Sequence, residues 1–180
     1  MGKIDERLAE LNLVLPAATE PKATYVTIVR SGNLLFTAGH ISESASGELI
    51  TGKVGKDLTL EEGNAAAHRV VLSLIATLKR TFVIARAYAD LYAVLHTEEL
   101  GDLDHIKRFV KLSGFVNSAD TFTSQAGVIN GASDTLGLIF GAKGKHARTA
   151  IGTNVLPLNA AVEIEAIVEV APSAPSLSSL

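Results

Sequence analysis

The chain has no cysteine and no tryptophan, a single methionine and five prolines in 180 residues. Without cysteine there is no disulfide, no thiolate metal site and no cysteine nucleophile. Charge is sparse as well. Sixteen Lys and Arg against 19 Asp and Glu leave a net charge of -3, and no basic run supplies the electrostatic footprint that a nucleic-acid backbone demands. The histidines, His40, His68, His96, His105 and His146, fall in no HxH or HExxH spacing, so no two imidazoles are set on one face to grip a metal. No apolar run reaches the roughly 18 residues of a membrane span. The charged opening MGKIDERLAELNL is helix-like and unlike a signal peptide. The expectation is a soluble, cytoplasmic protein with no metal, no cofactor, no membrane and no nucleic acid as partner.

What is present is aliphatic. Hydrophobic residues make up 47% of the chain and charged residues 19%, enough for one domain with a core and for further apolar surface to be buried in a homo-oligomer. Residues 1–20 read as a short helix and a proline-marked connector, and 21–171 as a single domain. Residues 172–180 read as a Pro/Ser-rich tail expected to be disordered. The tail ends in Ser-Ser-Leu, which lacks the central basic residue of the Ser-Lys-Leu peroxisomal address.

Within the domain the periodicity alternates between two and 3.6. ATYVTIVRSGNLLFTAGHI predicts strands over 24–30 and 34–40, joined by a hairpin whose positive-φ residues are Gly32 and Asn33. Thr59 followed by Glu62 is a capping box opening a helix that buries Ala66, Val70, Leu74 and Leu78. A third strand follows in DHIKRFVKLSGFVNS, alternating Phe109, Lys111 and Ser113 with Val110, Leu112 and Gly114. A second helix carries Ile129, Leu136 and Phe140; Gly127, Gly131 and Gly137 each weaken it by up to about 1 kcal/mol relative to alanine, but permit close packing. The last strand alternates Val162, Ile164, Ala166, Val168 and Val170 with Glu163, Glu165, Ile167 and Glu169. The expected class is α+β in the order ββαβαββ, with two helices on one face of a mixed sheet and self-association covering the other.

The charges in HARTAIGTNVLPLNAAVEIEAIVEV either lie on solvated faces or converge on a site. Together with YVTIVRSGNLLFTAGHI, FVKLSGFVNSADTF and VINGASD, this segment resembles the reactive-intermediate deaminase family of the YjgF/RidA type, often labelled endoribonuclease L-PSP. The similarity runs from about Tyr25 to Val170. Its most specific part is Ala-Arg, then Leu-Pro, then Val-Glu-Ile-Glu-Ala, with Arg148 and Glu163 fifteen positions apart.

The resemblance implies a chorismate-mutase-like fold, a homotrimer with its sheets packed at the centre and ligand clefts between subunits. It also implies hydrolysis of enamine or imine intermediates such as 2-aminoacrylate to a 2-keto acid and ammonia. Arg148 would anchor the small-molecule carboxylate through its planar fork of donors, and Glu163 would orient water and move protons. Tyr25, Gly39, Asn130, Thr149 and Ala150 match positions that bind substrate. The bland alternatives are a structural ion pair for Arg148, a solvated strand face for Glu163, strand packing for Tyr25 and a loop hydrogen bond for Asn130. Two functions of other classes stand beside the deaminase: a non-catalytic module that binds small carboxylates, and an endoribonuclease.

The chain departs from the family at several places. His146 stands where many members have proline, Thr149 and Ala38 where serine is common, and His40 where glutamine is. His40 is either a second titrating group at the cleft or a packing residue. About twenty residues, 81–100, read as a helical insertion that covers the cleft, widens an interface or packs outside the sheet.

Overall fold

The computed structural model describes residues 2–18, 24–89 and 102–172, with backbone alone for 82–89. Residues 90–100 of the expected insertion and 173–180 of the expected tail lie outside them. The elements are α1 (Lys3–Glu10), β1 (Ile28–Ser31), β2 (Leu34–Thr37), β3 (His40–Ile41), α2 (Leu60–Ala89), β4 (Ile106–Asn117), α3 (Gln125–Phe140), β5 (Ala147–Thr153) and β6 (Val162–Val170). The sheet runs β1-β2-β6-β4-β5, with β3 also on β6. Only the β4–β5 pair is parallel, so the sheet is mixed. The α+β class is therefore as the residues implied, with α1 as a third helix.

The first two strands are shorter than their pattern suggested. The arm expected over 24–30 is a strand only from Ile28, and the arm over 34–40 breaks into β2 and β3. At the end of β2 the Thr37 hydroxyl accepts the Ala166 backbone N–H at 2.9 Å, substituting a side chain for the ladder. The hairpin loop is Gly32-Asn33, between the paired Ser31 and Leu34. Positive φ occurs at Gly32 (57°) and not at Asn33, which places the glycine at the first central position, where a two-residue turn of the II′ kind requires it.

The capping box forms in both directions: Glu62 N–H donates to Thr59 Oγ1 at 3.1 Å, and Thr59 N–H to the Glu62 carboxylate at 2.8 Å. From there α2 runs without a break through Thr81 to Ala89, into the first part of the 81–100 segment. It crosses α3 at Gly131, where a Cβ would come within 2.1 Å of the Asn64 carbonyl oxygen. The glycine that weakens α3 locally thus lets the two helices touch through backbone. The helix α1 is docked from far along the chain, since the Asp104 carboxylate accepts the N–H groups of Lys3 and Ile4 at 2.7 and 2.9 Å. These are two of the unpaired donors that every helix start exposes.

The core lies between the helices and one face of the sheet. Val162, Ile164, Ala166, Val168 and Val170 of β6 are buried, facing Leu74, Ile75 and Leu78 of α2 and Ile129 and Leu136 of α3. The β4 pattern differs from strict alternation. Phe109 pairs with Val168 and Lys111 with Ile167, so Val110 is an extra residue in a bulge. The bulge turns Phe109 and Leu112 to the same side. Phe109 is thus buried, edge-on to Phe140 with ring centroids 5.0 Å apart. The second face of the sheet carries Val29, Phe36, Phe115, Ile151 and Ile167 among Glu163, Glu165 and Lys111; Val29 is 54% exposed and Phe36 40%. Among the described residues no helix is long and apolar enough to cross a membrane.

Candidate active site

Arg148 lies on β5, the terminal strand, which pairs with β4 alone. It is level with Leu112, a core residue, so its side chain rises on the helix side of the sheet and meets α3. There Nη1 donates to Asn130 Oδ1 at 2.9 Å and to Ser133 Oγ at 3.0 Å. Asn130 and Ser133 are three positions apart and share one face of α3. Ser133 Oγ lies 3.1 Å from His146 Nε2, and His146 Nδ1 lies 2.7 Å from the Gly144 carbonyl oxygen. The guanidinium is exposed, and among the described residues no carboxylate pairs with it. The ion-pair alternative for Arg148 is therefore not what these residues form. Thr149 and Ala150 follow on the same strand, Thr149 level with Ser113 and Ala150 with Gly114. An edge strand directs part of its backbone N–H groups away from the sheet.

Glu163, the second residue of β6, lies between Phe115 of β4 and Ile41 of β3, on the face opposite the helices. Its side chain is half-buried, and burial pushes the carboxyl up from its ordinary value of 4.5, with the charge of Glu165 adding to the rise. Such a group is not the freely solvated strand residue of the bland alternative. Gly39 is fitted to it: a Cβ there would stand 1.9 Å from Glu163 Oε1. The Ala38 N–H donates to the Thr27 carbonyl at 2.8 Å, tying the segment before β1 beside this loop. Tyr25 lies two residues before that tether, ahead of the strand and 44% exposed, so it is not a packed strand residue.

Two groups result. Arg148 and Asn130 converge on the helix side; Gly39 and Glu163 converge on the other side, with Tyr25 in the segment tethered beside them. The single chain does not bring Arg148 and Glu163 into one pocket. Ser133, with His146 behind it, was not singled out beside Arg148 in the sequence, although the three-residue spacing of Asn130 and Ser133 on a helix is a signal that points to Ser133. His40 is a packing residue: it is 2% exposed, its Nε2 lies 2.9 Å from Thr77 Oγ1 and its Nδ1 3.0 Å from the Ala38 carbonyl. Burial lowers its pKa from 6.5, opposed by the Ala38 bond and by Glu43.

Neither group lies in the open groove of about 810 Å³ that runs between α1, the connector and α2, lined by Leu8, Leu13, Leu15 and Lys79 among others. A smaller one of about 150 Å³ lies on the open face of the sheet among Phe36, Lys111, Ser113 and Glu165. Among the described residues no three His, Asp or Glu side chains cluster as metal ligands do.

Comparison with known proteins extends the pattern over nearly the whole chain. Residues 5–170 match the family described as "YjgF/chorismate mutase-like, putative endoribonuclease". Protein TCP17 of Trypanosoma cruzi is 40% identical over 169 residues, covering 93% of this chain and 94% of that protein. A crystal structure of an Agrobacterium tumefaciens protein of unknown function is 38% identical, with a TM-score of 0.73 over 93% of this chain and 94% of that one. A Shewanella oneidensis structure titled a "putative endoribonuclease" is 28% identical, with a TM-score of 0.79 over 94% and 100%. The chain belongs to the YjgF/chorismate mutase-like family.

Proposed function

We propose that the protein hydrolyses reactive enamine and imine intermediates of the 2-aminoacrylate type to 2-keto acids and ammonia, in the cytoplasm and as a homotrimer. The observation that carries this reading is Arg148 held by two neutral side chains, Asn130 and Ser133, with no carboxylate among the described residues taking its charge. A guanidinium so placed is aimed at an anion from outside the chain. Because Nη1 is engaged, a substrate carboxylate takes the Nε and Nη2 edge in two parallel bonds.

Arg148 and Glu163 sit on opposite faces, so a cleft that uses both draws them from two copies. The apolar second face, with Val29, Phe36 and Ile151 exposed, gives the copies a reason to meet. Once bound, the enamine tautomerises to the imine. Glu163 as carboxylate takes a proton from water as the oxygen bonds to the imine carbon and the C=N electron pair moves to nitrogen. The same proton then passes to the amine of the tetrahedral intermediate. Glu163 then takes the hydroxyl proton and delivers it to the amine as the C–N bond breaks, so ammonia leaves and the carbonyl forms. No metal or cofactor enters.

The test is turnover of 2-aminoacrylate, generated in a coupled assay, by wild type and by Arg148→Ala, alongside a measurement of oligomeric state. Turnover lost with the trimer kept supports the reading; turnover unchanged removes it. A binding module for small carboxylates is the second reading. It is favoured by the anchor being complete within one chain while Glu163 lies elsewhere. Binding of 2-ketobutyrate or pyruvate without enamine hydrolysis would select it. The endoribonuclease label of relatives finds no run of basic residues in a chain of net charge -3, and an RNA-degradation assay with the Arg148 variant decides it.

A further inference from the structure

Ser133 and His146 touch no substrate in the mechanism above, yet both lead to Arg148. The Gly144 carbonyl can only accept, so the His146 nitrogen 2.7 Å away, Nδ1, carries the hydrogen and Nε2 is left as an acceptor. Ser133 receives Nη1–H of Arg148 and turns its own hydroxyl hydrogen to that Nε2. The result is one directed chain: Arg148 to Ser133, Ser133 to His146, His146 to the Gly144 carbonyl. Its far end is rigid. Gly144 is buried, and a Cβ there would come within 2.2 Å of the Leu136 carbonyl oxygen, so this turn is packed directly on the backbone of α3.

We infer that Ser133 and His146 are positioning residues that set the plane of the Arg148 guanidinium and so the edge it offers to a carboxylate. The inference rests on the reading of Arg148 as carboxylate anchor. An exposed arginine is otherwise rich in rotamers, and ordering it on binding lowers affinity. Asn130 alone leaves the guanidinium free to turn about one hydrogen bond. With Ser133 as a second, fixed acceptor the Nε and Nη2 edge is presented before the ligand arrives. Bidentate recognition depends on that alignment.

The experiment is titration of 2-ketobutyrate, by calorimetry, into wild type, Ser133→Ala, Ser133→Thr, His146→Phe and Arg148→Ala, with circular dichroism to check folding and 15N NMR of the imidazoles. Ser133→Ala and His146→Phe are expected to weaken Kd roughly tenfold, a lost hydrogen bond to a charged group. With 2-aminoacrylate the effect falls on KM rather than kcat, and Ser133→Thr recovers most of it. The His146 Nε2 resonance moves on adding 2-ketobutyrate in wild type and stays still in Ser133→Ala, a response that mere support of the turn does not produce. If Arg148→Ala abolishes binding while Ser133→Ala and His146→Phe stay within about twofold of wild type, the positioning role is overturned and the anchor stands. If Arg148→Ala binds as wild type does, the anchor reading itself is overturned, and this inference with it.

Discussion

Arg148 and Glu163 stand on opposite faces of one sheet: Arg148 is level with the core residue Leu112 and meets α3, whereas Glu163 is level with Phe115 on the face opposite α2 and α3. Both ends of the proposed chemistry are therefore present in the chain, on opposite sides of its sheet. Residues around each group are organised separately, Asn130 and Ser133 for the arginine and Gly39 for the carboxylate.

Replacing Arg148 by lysine keeps the charge and removes the planar fork. The expected outcome is a fall in kcat/KM for 2-aminoacrylate of roughly tenfold or more, because one point-like ammonium cannot make two parallel bonds to a carboxylate. Steady-state kinetics of Arg148→Lys against Arg148→Ala measure it, and equal activity of Arg148→Lys and wild type contradicts a bidentate anchor.

Gly39→Ala places a methyl group 1.9 Å from Glu163 Oε1. The atom it meets is the far end of a side chain, so the carboxylate is expected to swing away while the backbone holds. Turnover should fall at least tenfold, with thermal stability changed by no more than about 1–2 kcal/mol. Full activity in this variant would show that the position of the Glu163 carboxylate does not matter to the reaction.

The pH dependence of turnover follows from Glu163. Burial, and then the neighbouring Glu165, raise its pKa above 4.5. A base must be ionised, so activity is expected to decline as pH falls through that raised value, and Glu165→Gln should move the decline to lower pH by removing one cause of the rise. A kcat profile recorded for both proteins is the check; coincident profiles rule out coupling between the two carboxylates.

His40 gives stability its own pH dependence. Its folded pKa lies below the unfolded value of 6.5, chiefly through burial. Above 6.5 both states are neutral at this residue and it adds no pH dependence. As pH falls below 6.5 the unfolded state takes up a proton that the folded state refuses, so stability is lost until the folded pKa is reached. His68 is lowered in the same direction by burial and by Arg69, but it is only half-buried, so solvent screens it more. Urea unfolding between pH 7.5 and about 5 should show a fall that is smaller in His40→Gln.

The glycines of α3 separate local propensity from packing. Gly131→Ala drives a methyl group onto the Asn64 carbonyl, 2.1 Å from its Cβ, and is expected to destabilise by about 1–3 kcal/mol. Gly137→Ala meets nothing within 4 Å and is expected to stabilise by up to about 1 kcal/mol. Chemical denaturation of the two variants tests both signs at once.

Much of this fold was legible because its signals are local. The capping box at Thr59 and Glu62 needs four residues, and the alternation from Val162 to Val170 needs one strand. The strand ends and the β4 bulge were not legible. Val110 reads as an ordinary alternating residue, and only the need to bury Phe109 against Phe140 while Lys111 stays exposed forces the extra residue into the ladder. The same holds for His40, whose identity leaves open a cleft or a core and whose bond to Thr77 places it in the core.

By itself the sequence determined the α+β class, the helix start at Thr59 and the apolar face of β6, and it singled out Arg148 and Glu163 as candidates, because periodicity and motif order are properties of neighbouring residues. The tertiary structure decided which face each charge occupies, that Gly39 shares its space with Glu163, and that Arg148 bonds Asn130 and Ser133, with His146 behind Ser133. Those relations depend on the parallel pairing of β5 with β4, the antiparallel pairing of β6, and the approach of α3 to the sheet edge. None of these is specified by spacing along the chain, since contacts between distant segments follow from how the core closes.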